Sequence, residues 1–228
     1  MKRISLAISL VLVFASAASV GMALTHPHTI NLRLGYKLVM DQPDSDIDYL
    51  STRLRVIKRG HAIYSDTDHH FMPRSKMYPK ILHFSHHDEI LLQFDERPWE
   101  DGVLRLMVKN DSLVSIDTLP SFISGASDLA GDGIPRFAGI YYDGENWIDS
   151  LGIERTEYVP IIYYMVTNRG LSLDSVLTKS VNVRIYGYGP FQTGEYFQNH
   201  PPLVSSESRF MKEWKRIEHA KKLSLNGF

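Results

Sequence analysis

The chain has 228 residues, a formal net charge of −1, 43% hydrophobic and 22% charged side chains, and no cysteine. This composition is typical of a globular domain. The absence of cysteine excludes disulfide scaffolds, cysteine nucleophiles, cysteine-based zinc sites and iron–sulfur clusters. The near-neutral charge does not favour a nucleic-acid binder, which needs a basic face.

The N-terminus has the three-part pattern of a secretory signal peptide. Lys2 and Arg3 precede the uncharged run 4–14, and small residues fill positions 15–19. The sequence therefore predicts a secreted or periplasmic protein that is not stably inserted in the membrane after cleavage.

Two cleavage positions fit the preference for small residues, one after Ala17 and one after Ala23. We assign residues 1–23 to the signal peptide. The alternative is an uncleaved anchor, because residues 4–24 contain no charge and are about long enough to cross a bilayer.

Short alternating segments separated by turn residues run from about residue 30 to residue 204, a pattern that indicates an all-β domain over 24–204. We expect antiparallel hairpins, arranged as a propeller-like open stack or a β-sandwich. The predicted strands are Ile30–Met40, Leu54–Lys58, His61–Ser65, Ile81–Phe84, Ile90–Phe94, Leu104–Lys109, Leu113–Thr118, Arg136–Tyr142, Tyr158–Val166 and Val181–Gly187.

Three tight turns are predicted from Gly, Asn and Asp, which adopt positive φ or bond their own backbone. They lie at Arg59-Gly60, Asn110-Asp111 and Asn168-Arg169-Gly170. Each should connect two strands of a hairpin.

Histidines and acids concentrate between residues 66 and 89. Imidazole and carboxylate groups can hold zinc, so this cluster is one candidate metal site, although we interpret its histidines as surface residues. Its members are His69, His70, His83, His86 and His87, with Asp66, Asp68, Asp88 and Glu89. Asp44, Asp46 and Asp48 form another acidic stretch, which we interpret as a solvated loop because no glycine turn follows.

The most chemically specific motif is the acidic glycine loop, residues 127–136. Asp128 and Asp132 stand at positions one and five of a calcium-type loop, and Gly133 stands at position six, where the chain turns sharply. With the apolar strand that follows, residues 122–147 resemble an FG-GAP or VCBS repeat of integrin-like β-propellers, whose signature is DxDGDG. The resemblance implies a calcium loop with Asp128 and Asp132 as metal ligands.

Two positions depart from that family pattern. Ala130 replaces an expected oxygen ligand, and Arg136 places a positive charge near the loop. Because calcium affinity falls with ligand charge, we interpret the loop first as a turn and keep calcium binding as the alternative. No other cofactor is expected.

The order of segments over about residues 54–190 also resembles a set of uncharacterised exported bacterial β-rich proteins. The segments that carry this resemblance include the acidic glycine loop, Pro160-Ile161-Ile162-Tyr163-Tyr164 and Gly170-Leu171-Ser172-Leu173-Asp174. This resemblance implies a fold and no activity.

The hydrophobic period changes near the C-terminus and predicts an amphipathic helix within 205–228 that docks on the β domain. Its apolar stripe contains Phe210, Trp214 and Ile217, and we expect Trp214 to be buried. We interpret the basic residues of this helix as its solvated face; contact with anionic lipid is the alternative.

Two functions fit these patterns. The first is an exported non-enzymatic module that binds a protein, a glycan or a cell-surface component, favoured because no nucleophile or nucleotide motif is present. The alternative is a hydrolase that uses paired carboxylates, such as Asp95-Glu96 with Glu100-Asp101, or a metal held by the histidine cluster. The sequence specifies neither a ligand nor an oligomeric state.

The signal pattern makes a direct prediction. The exported protein should lack its first 17 or 23 residues, because signal peptidase cleaves after small residues. Intact mass spectrometry of protein recovered outside the cytoplasm measures this. Retention of Met1 or Lys2 on that protein would contradict the prediction.

Overall fold

The structure, a computed structural model, describes residues 28–40, 53–71, 77–96, 100–140, 145–148, 152, 154–190, 206–223 and 225, with only the backbone of 96, 100, 101, 145–148 and 154–157. The predicted signal peptide and the acidic stretch Asp44, Asp46 and Asp48 lie outside these residues. The strands are β1 His28–Asn31, β2 Tyr36–Met40, β3 Leu54–Lys58, β4 His61–Asp66, β5 Lys80–His83, β6 Asp88–Glu96, β7 Glu100–Lys109, β8 Ser112–Phe122, β9 Arg136–Ile140, β10 Glu145–Ile148, β11 Glu154–Tyr158, β12 Ile161–Thr167 and β13 Gly170–Leu173. Two α-helices are described, α1 Ser175–Tyr186 and α2 Ser206–His219.

The described strands form open antiparallel sheets. One has the order β1-β2-β3-β4, the second has the order β13-β12-β9-β8-β7-β6-β5, and β10 pairs with β11. The predicted all-β fold, antiparallel hairpins in an open stack or sandwich with a C-terminal helix, is therefore confirmed.

The long strand β8 bends the seven-stranded sheet into two halves. Its residues 112–120 pair with β7, whereas Ser121 and Phe122 pair with β9. The half made of β9, β12 and β13 folds over the half made of β5, β6 and β7. Side chains from both halves, including Leu91, Val103 and Leu171, share one buried cluster.

The alternation of strand side chains produces three successive apolar layers. The first layer lies between the four-stranded sheet and the outer faces of β6 and β7. The second lies between the two halves of the bent sheet. The third lies between β9 and β12 on one side and the two helices on the other.

The predicted hairpin turns are confirmed. Arg59 and Gly60 have φ values of 50° and 85°, and Asn110 and Asp111 have values of 52° and 59°. Positive φ at both central residues is the requirement of a type I′ turn, whose twist matches that of its strands. The third turn connects β12 to β13 and ends at Gly170, with φ of 121°.

Two predicted strands are each split by a local break. Ile30–Met40 divides into β1 and β2 at a 3-10 turn, Arg33–Gly35, in which Leu34 has φ of 57°. Tyr158–Val166 divides into the end of β11 and the start of β12. Pro160 lies between them, where its missing N–H cannot serve a continuous ladder.

The predicted strand Val181–Gly187 is wrong, because these residues belong to helix α1 and its end. Asp174 caps the helix, its Oδ1 accepting a hydrogen bond from Leu177 N at 2.9 Å. Gly187 ends it in the left-handed conformation. Capping and the burial of Val181 and Ile185, one turn apart, outweigh the strand preference of the β-branched residues.

Helix α2 docks on the third apolar layer through one fully buried residue. Ile217 is 0% exposed, whereas Trp214 is half-buried and donates its indole N–H to Glu218 Oε1 at 2.9 Å. The expectation that Trp214 is buried is thus only partly met. Of the two helices described, neither is long and apolar enough to span a membrane.

The docking of α2 predicts a large effect at one position. Ile217→Ala should lower the free energy of unfolding by about 2–5 kcal/mol, because it removes a buried side chain and leaves a cavity. Chemical denaturation measures this. Met211→Ala, on the same helix with a side chain 47% exposed, is the matched control and should change stability by less than about 0.5 kcal/mol. Equal effects of the two substitutions would mean that the helix does not dock through Ile217.

Candidate functional site

The acidic glycine loop is held by its own backbone. Asp128 Oδ1 accepts hydrogen bonds from the N–H groups of Gly131 and Gly133 at 2.8 and 3.2 Å. Asp132 Oδ1 accepts another from Ile134 N at 3.0 Å. These contacts are those of aspartate-stabilised turns.

Arg136, at the end of the same loop, binds both oxygens of Asp132. Its two terminal nitrogens lie 2.6 and 2.7 Å from those oxygens, and its Nε lies 2.7 Å from Asp174 Oδ2. Hydrogen bonding from the guanidinium lowers the pKa of Asp132 from 3.8 to about 2. The positive charge that a calcium ion would bring is supplied here by an arginine. Calcium binding by Asp128 and Asp132 stays the alternative to the predicted turn.

Asp174 connects this loop to helix α1. One of its oxygens accepts from Arg136 and the other caps the helix through Leu177 N. Sequence analysis did not identify the pairing of Arg136 with Asp174. An Asp that precedes Ser175-Val176-Leu177 is a recognisable N-cap signal, but its arginine partner lies 38 positions away.

The predicted histidine cluster separates into pairs. His69 Nδ1 lies 3.0 Å from Asp66 Oδ2, and His83 Nδ1 lies 2.6 Å from Asp88 Oδ1. His69 packs on the ring of Phe94, with centroids 4.7 Å apart. Within the described part of the chain, no three histidine or acidic side chains converge as metal ligands would.

The acidic pairs proposed for a hydrolase lie opposite each other in the β6–β7 ladder. Backbone register places Asp95 across from Asp101 and Glu96 across from Glu100. Asp95 is 3% exposed.

Glu89 is the most deeply buried acid of the described chain, at 0% exposure. Arg105 donates two hydrogen bonds to its carboxylate at 2.6 and 3.0 Å, and His87 Nε2 lies 3.0 Å from Oε1. Leu171 N, on β13, approaches the same carboxylate at 3.2 and 3.4 Å. This carboxylate therefore links the two halves of the bent sheet.

A cleft of about 1150 Å³ lies beside this network, and the sequence analysis did not identify it. Four separate segments of the chain line it: the β1–β2 turn, strand β5 with the residues after it, the β12–β13 turn and the segment that follows α2. Its apolar lining consists of Leu32, Leu34, Pro79, Ile81, Phe84, Leu223 and Leu225.

The titratable side chains that line the cleft all belong to basic residue types. They are Arg33, Lys80 and His83, and the described lining contains no carboxylate. Burial lowers the pKa of Lys80, whose Nζ lies 5.3 Å from the centre of the Phe137 ring. His83 differs from the other two because it has a carboxylate partner: its Nδ1 lies 2.6 Å from Asp88 Oδ1.

The rim of the cleft contains a strained residue. Leu34 has φ of 57°, which is unfavourable for a side chain of this kind, and it is 45% exposed. Strain combined with exposure of an apolar side chain is common where a protein binds a ligand. In the sequence, the only sign of this turn is Gly35 after Leu32-Arg33-Leu34, inside the predicted strand Ile30–Met40.

Comparison with protein-family models, curated proteins and solved structures finds no match to this chain.

The geometry of the loop predicts its response to calcium. Millimolar calcium should leave the melting temperature of the wild-type protein unchanged, because Arg136 already binds both oxygens of Asp132. Gly133→Ala should lower stability by about 1 kcal/mol with or without calcium, since Gly133 has φ of 79°. Thermal denaturation in calcium and in EDTA measures both.

Asp132→Asn tests the alternative, that the loop binds calcium. A calcium-dependent rise in melting temperature that this substitution abolishes would show that the loop binds the ion. Gly60→Ala, at a turn far from the loop with φ of 85°, is a control for strain alone.

Proposed function

We propose that the protein is an exported, non-enzymatic β-rich module that binds a protein, a glycan or another cell-surface component in the cleft between β5 and the β1–β2 turn. The observation that carries the proposal is the cleft itself. Its volume slightly exceeds the usual range of ligand pockets, about 300–1,000 Å³, and its lining combines an apolar wall with a few polar groups.

The charge of the lining defines the kind of ligand. Lys80 and Arg33 have no carboxylate partner among the described residues, and both line the cleft. Burial partly removes Lys80 from water, and a cation in this position is stabilised by opposite charge, so a ligand with acidic groups and apolar surface fits best.

The buried acids support binding rather than catalysis. Glu89, Asp174 and Glu213 are each bound by an arginine at 2.5–2.8 Å. Burial alone would raise the pKa of Glu213, but hydrogen bonds from Arg216 and Tyr163 outweigh it and lower that pKa. Glu213 therefore stays ionised and holds the fold, whereas a general acid needs a raised pKa.

Export is part of the proposal and rests on the signal pattern of residues 1–23. A secreted or periplasmic location would place the cleft in contact with components of the cell surface.

An anionic fluorescent probe tests whether the cleft binds acidic ligands with apolar surface. The probe 8-anilinonaphthalene-1-sulfonate should bind the folded protein and become fluorescent. Arg33→Glu and Lys80→Glu should each weaken its binding by about tenfold, because each replaces an attractive charge by a repulsive one. Fluorescence titration gives the dissociation constants.

Lys179→Glu is the matched control, because Lys179 is exposed on α1 and does not line the cleft. It should leave the affinity unchanged. Arg33 is also exposed, so its substitution should preserve the fold, which near-UV circular dichroism checks. Absence of binding, or an equal loss in the control, would overturn the proposal.

A further inference from the structure

The cleft runs along the open edge of strand β5. This strand is the last in the order of its sheet and pairs with β6. Ile81 packs toward the first apolar layer and Phe84 toward the second, on the opposite side of the sheet. Both line the cleft. A cleft that contacts both faces of an edge strand must lie across its edge.

Among the residues that the structure describes, none pairs with the outer edge of β5. Among the described residues, β6 provides every hydrogen bond recorded to the backbone of 80–83. The first half of β12 is also an open edge, because β13 pairs only with its residues 164–167. There, side chains of α1 take the place of a strand: Asn182 and Thr178 accept hydrogen bonds from Ile161 N and Tyr163 N at 3.0 and 2.9 Å. In the described part of the chain, side chains of α1 thus cap one open edge, and the other open edge faces the cleft.

An unpaired edge is a template for another strand. The four residues of β5 extend about 13 Å, at about 3.3 Å per residue. The β1–β2 turn and Leu223 and Leu225 flank this edge, so the cleft admits a single extended chain more readily than the edge of a whole sheet.

The charges around the edge specify the incoming strand. Lys80 lies on the face of β5 that looks toward Phe137, and Arg33 belongs to the turn of the four-stranded sheet on the other side. Successive side chains of an added strand point to opposite faces. Acidic residues on either face of that strand would therefore meet a cation.

We propose that the ligand is an extended acidic peptide segment of another protein, which pairs with β5 as an additional strand while its acidic side chains contact Lys80 and Arg33. This inference rests on the proposed function, because it names the ligand of the same cleft.

The experiment uses a phage-displayed library of random peptides of about 12 residues, selected on the wild-type protein. Peptides that also bind the Arg33→Glu/Lys80→Glu double variant are removed by counter-selection, because they bind outside the cleft. Selected peptides should be enriched in Asp and Glu over the starting library. Their synthetic forms should bind the double variant at least about tenfold more weakly than the wild type.

A separate measurement tests whether the peptide pairs with β5 through its backbone. Methylation of alternate backbone nitrogens of a selected peptide should weaken binding by about tenfold, because it removes the donors of one edge without changing the side-chain charges. The same methylation on the other set of nitrogens should have a smaller effect, since those groups face away from β5. Hydrogen exchange of the protein should slow within residues 80–83 on binding.

The failures are distinguishable. No enrichment, enrichment without an acidic excess, or binding that neither set of methylations changes would overturn strand addition. If the sulfonate probe still binds through Lys80 and Arg33, the proposed function stands and only its peptide ligand is wrong. If neither the probe nor the peptides bind, both the proposed function and the peptide ligand are wrong.

Discussion

The buried carboxylate of Glu89 is the interaction on which the arrangement of the bent sheet depends. An unpaired charge at 0% exposure would be prohibitively unfavourable, so its partners must be held in place. Arg105 binds it from the neighbouring strand and Leu171 N binds it from β13. A Cβ on Gly170 would lie 2.5 Å from Glu89 Oε1, so the approach of β13 also requires glycine there. Together these contacts fix how far the two halves of the sheet close.

The position of the cleft follows from that closure. Strand β5 is the last strand of the sheet, and because one half of the sheet folds over the other, its two faces look toward different apolar layers. The segment after α2 then reaches the same edge: Leu223 N bonds to Ala126 O at 3.1 Å, and Asp128 N bonds to Lys221 O at 3.0 Å. The backbone just before the acidic glycine loop therefore anchors one wall of the cleft, which gives this loop a structural role independent of any metal.

Arginine–carboxylate pairs join elements that are far apart in the chain. Arg136 links the acidic loop to the start of α1, and Glu213 links α2 to Arg184 of α1 and to the hydroxyl of Tyr163 on β12. Each pair combines charge with directional hydrogen bonds, and removing one partner leaves a buried charge uncompensated. Among the acids that the sequence offers as metal ligands or catalysts, Asp132 and Glu89 are held by such pairs.

The sequence by itself determined the elements that depend on neighbouring residues. Strand alternation, the Arg59-Gly60 and Asn110-Asp111 turns, and the 3.6-residue stripe of α2 are local properties, and all three were predicted. The helical state of 181–186 was not predicted, because its β-branched residues resemble a strand until the Asp174 cap and burial on β12 are known. The turn at Asp128 and Asp132 was also predicted from the sequence, but the pairing of Arg136 with Asp174 was not. Only tertiary structure decided the cleft, because Arg33, Lys80, Asn168 and Leu223 come from segments whose proximity no local pattern encodes.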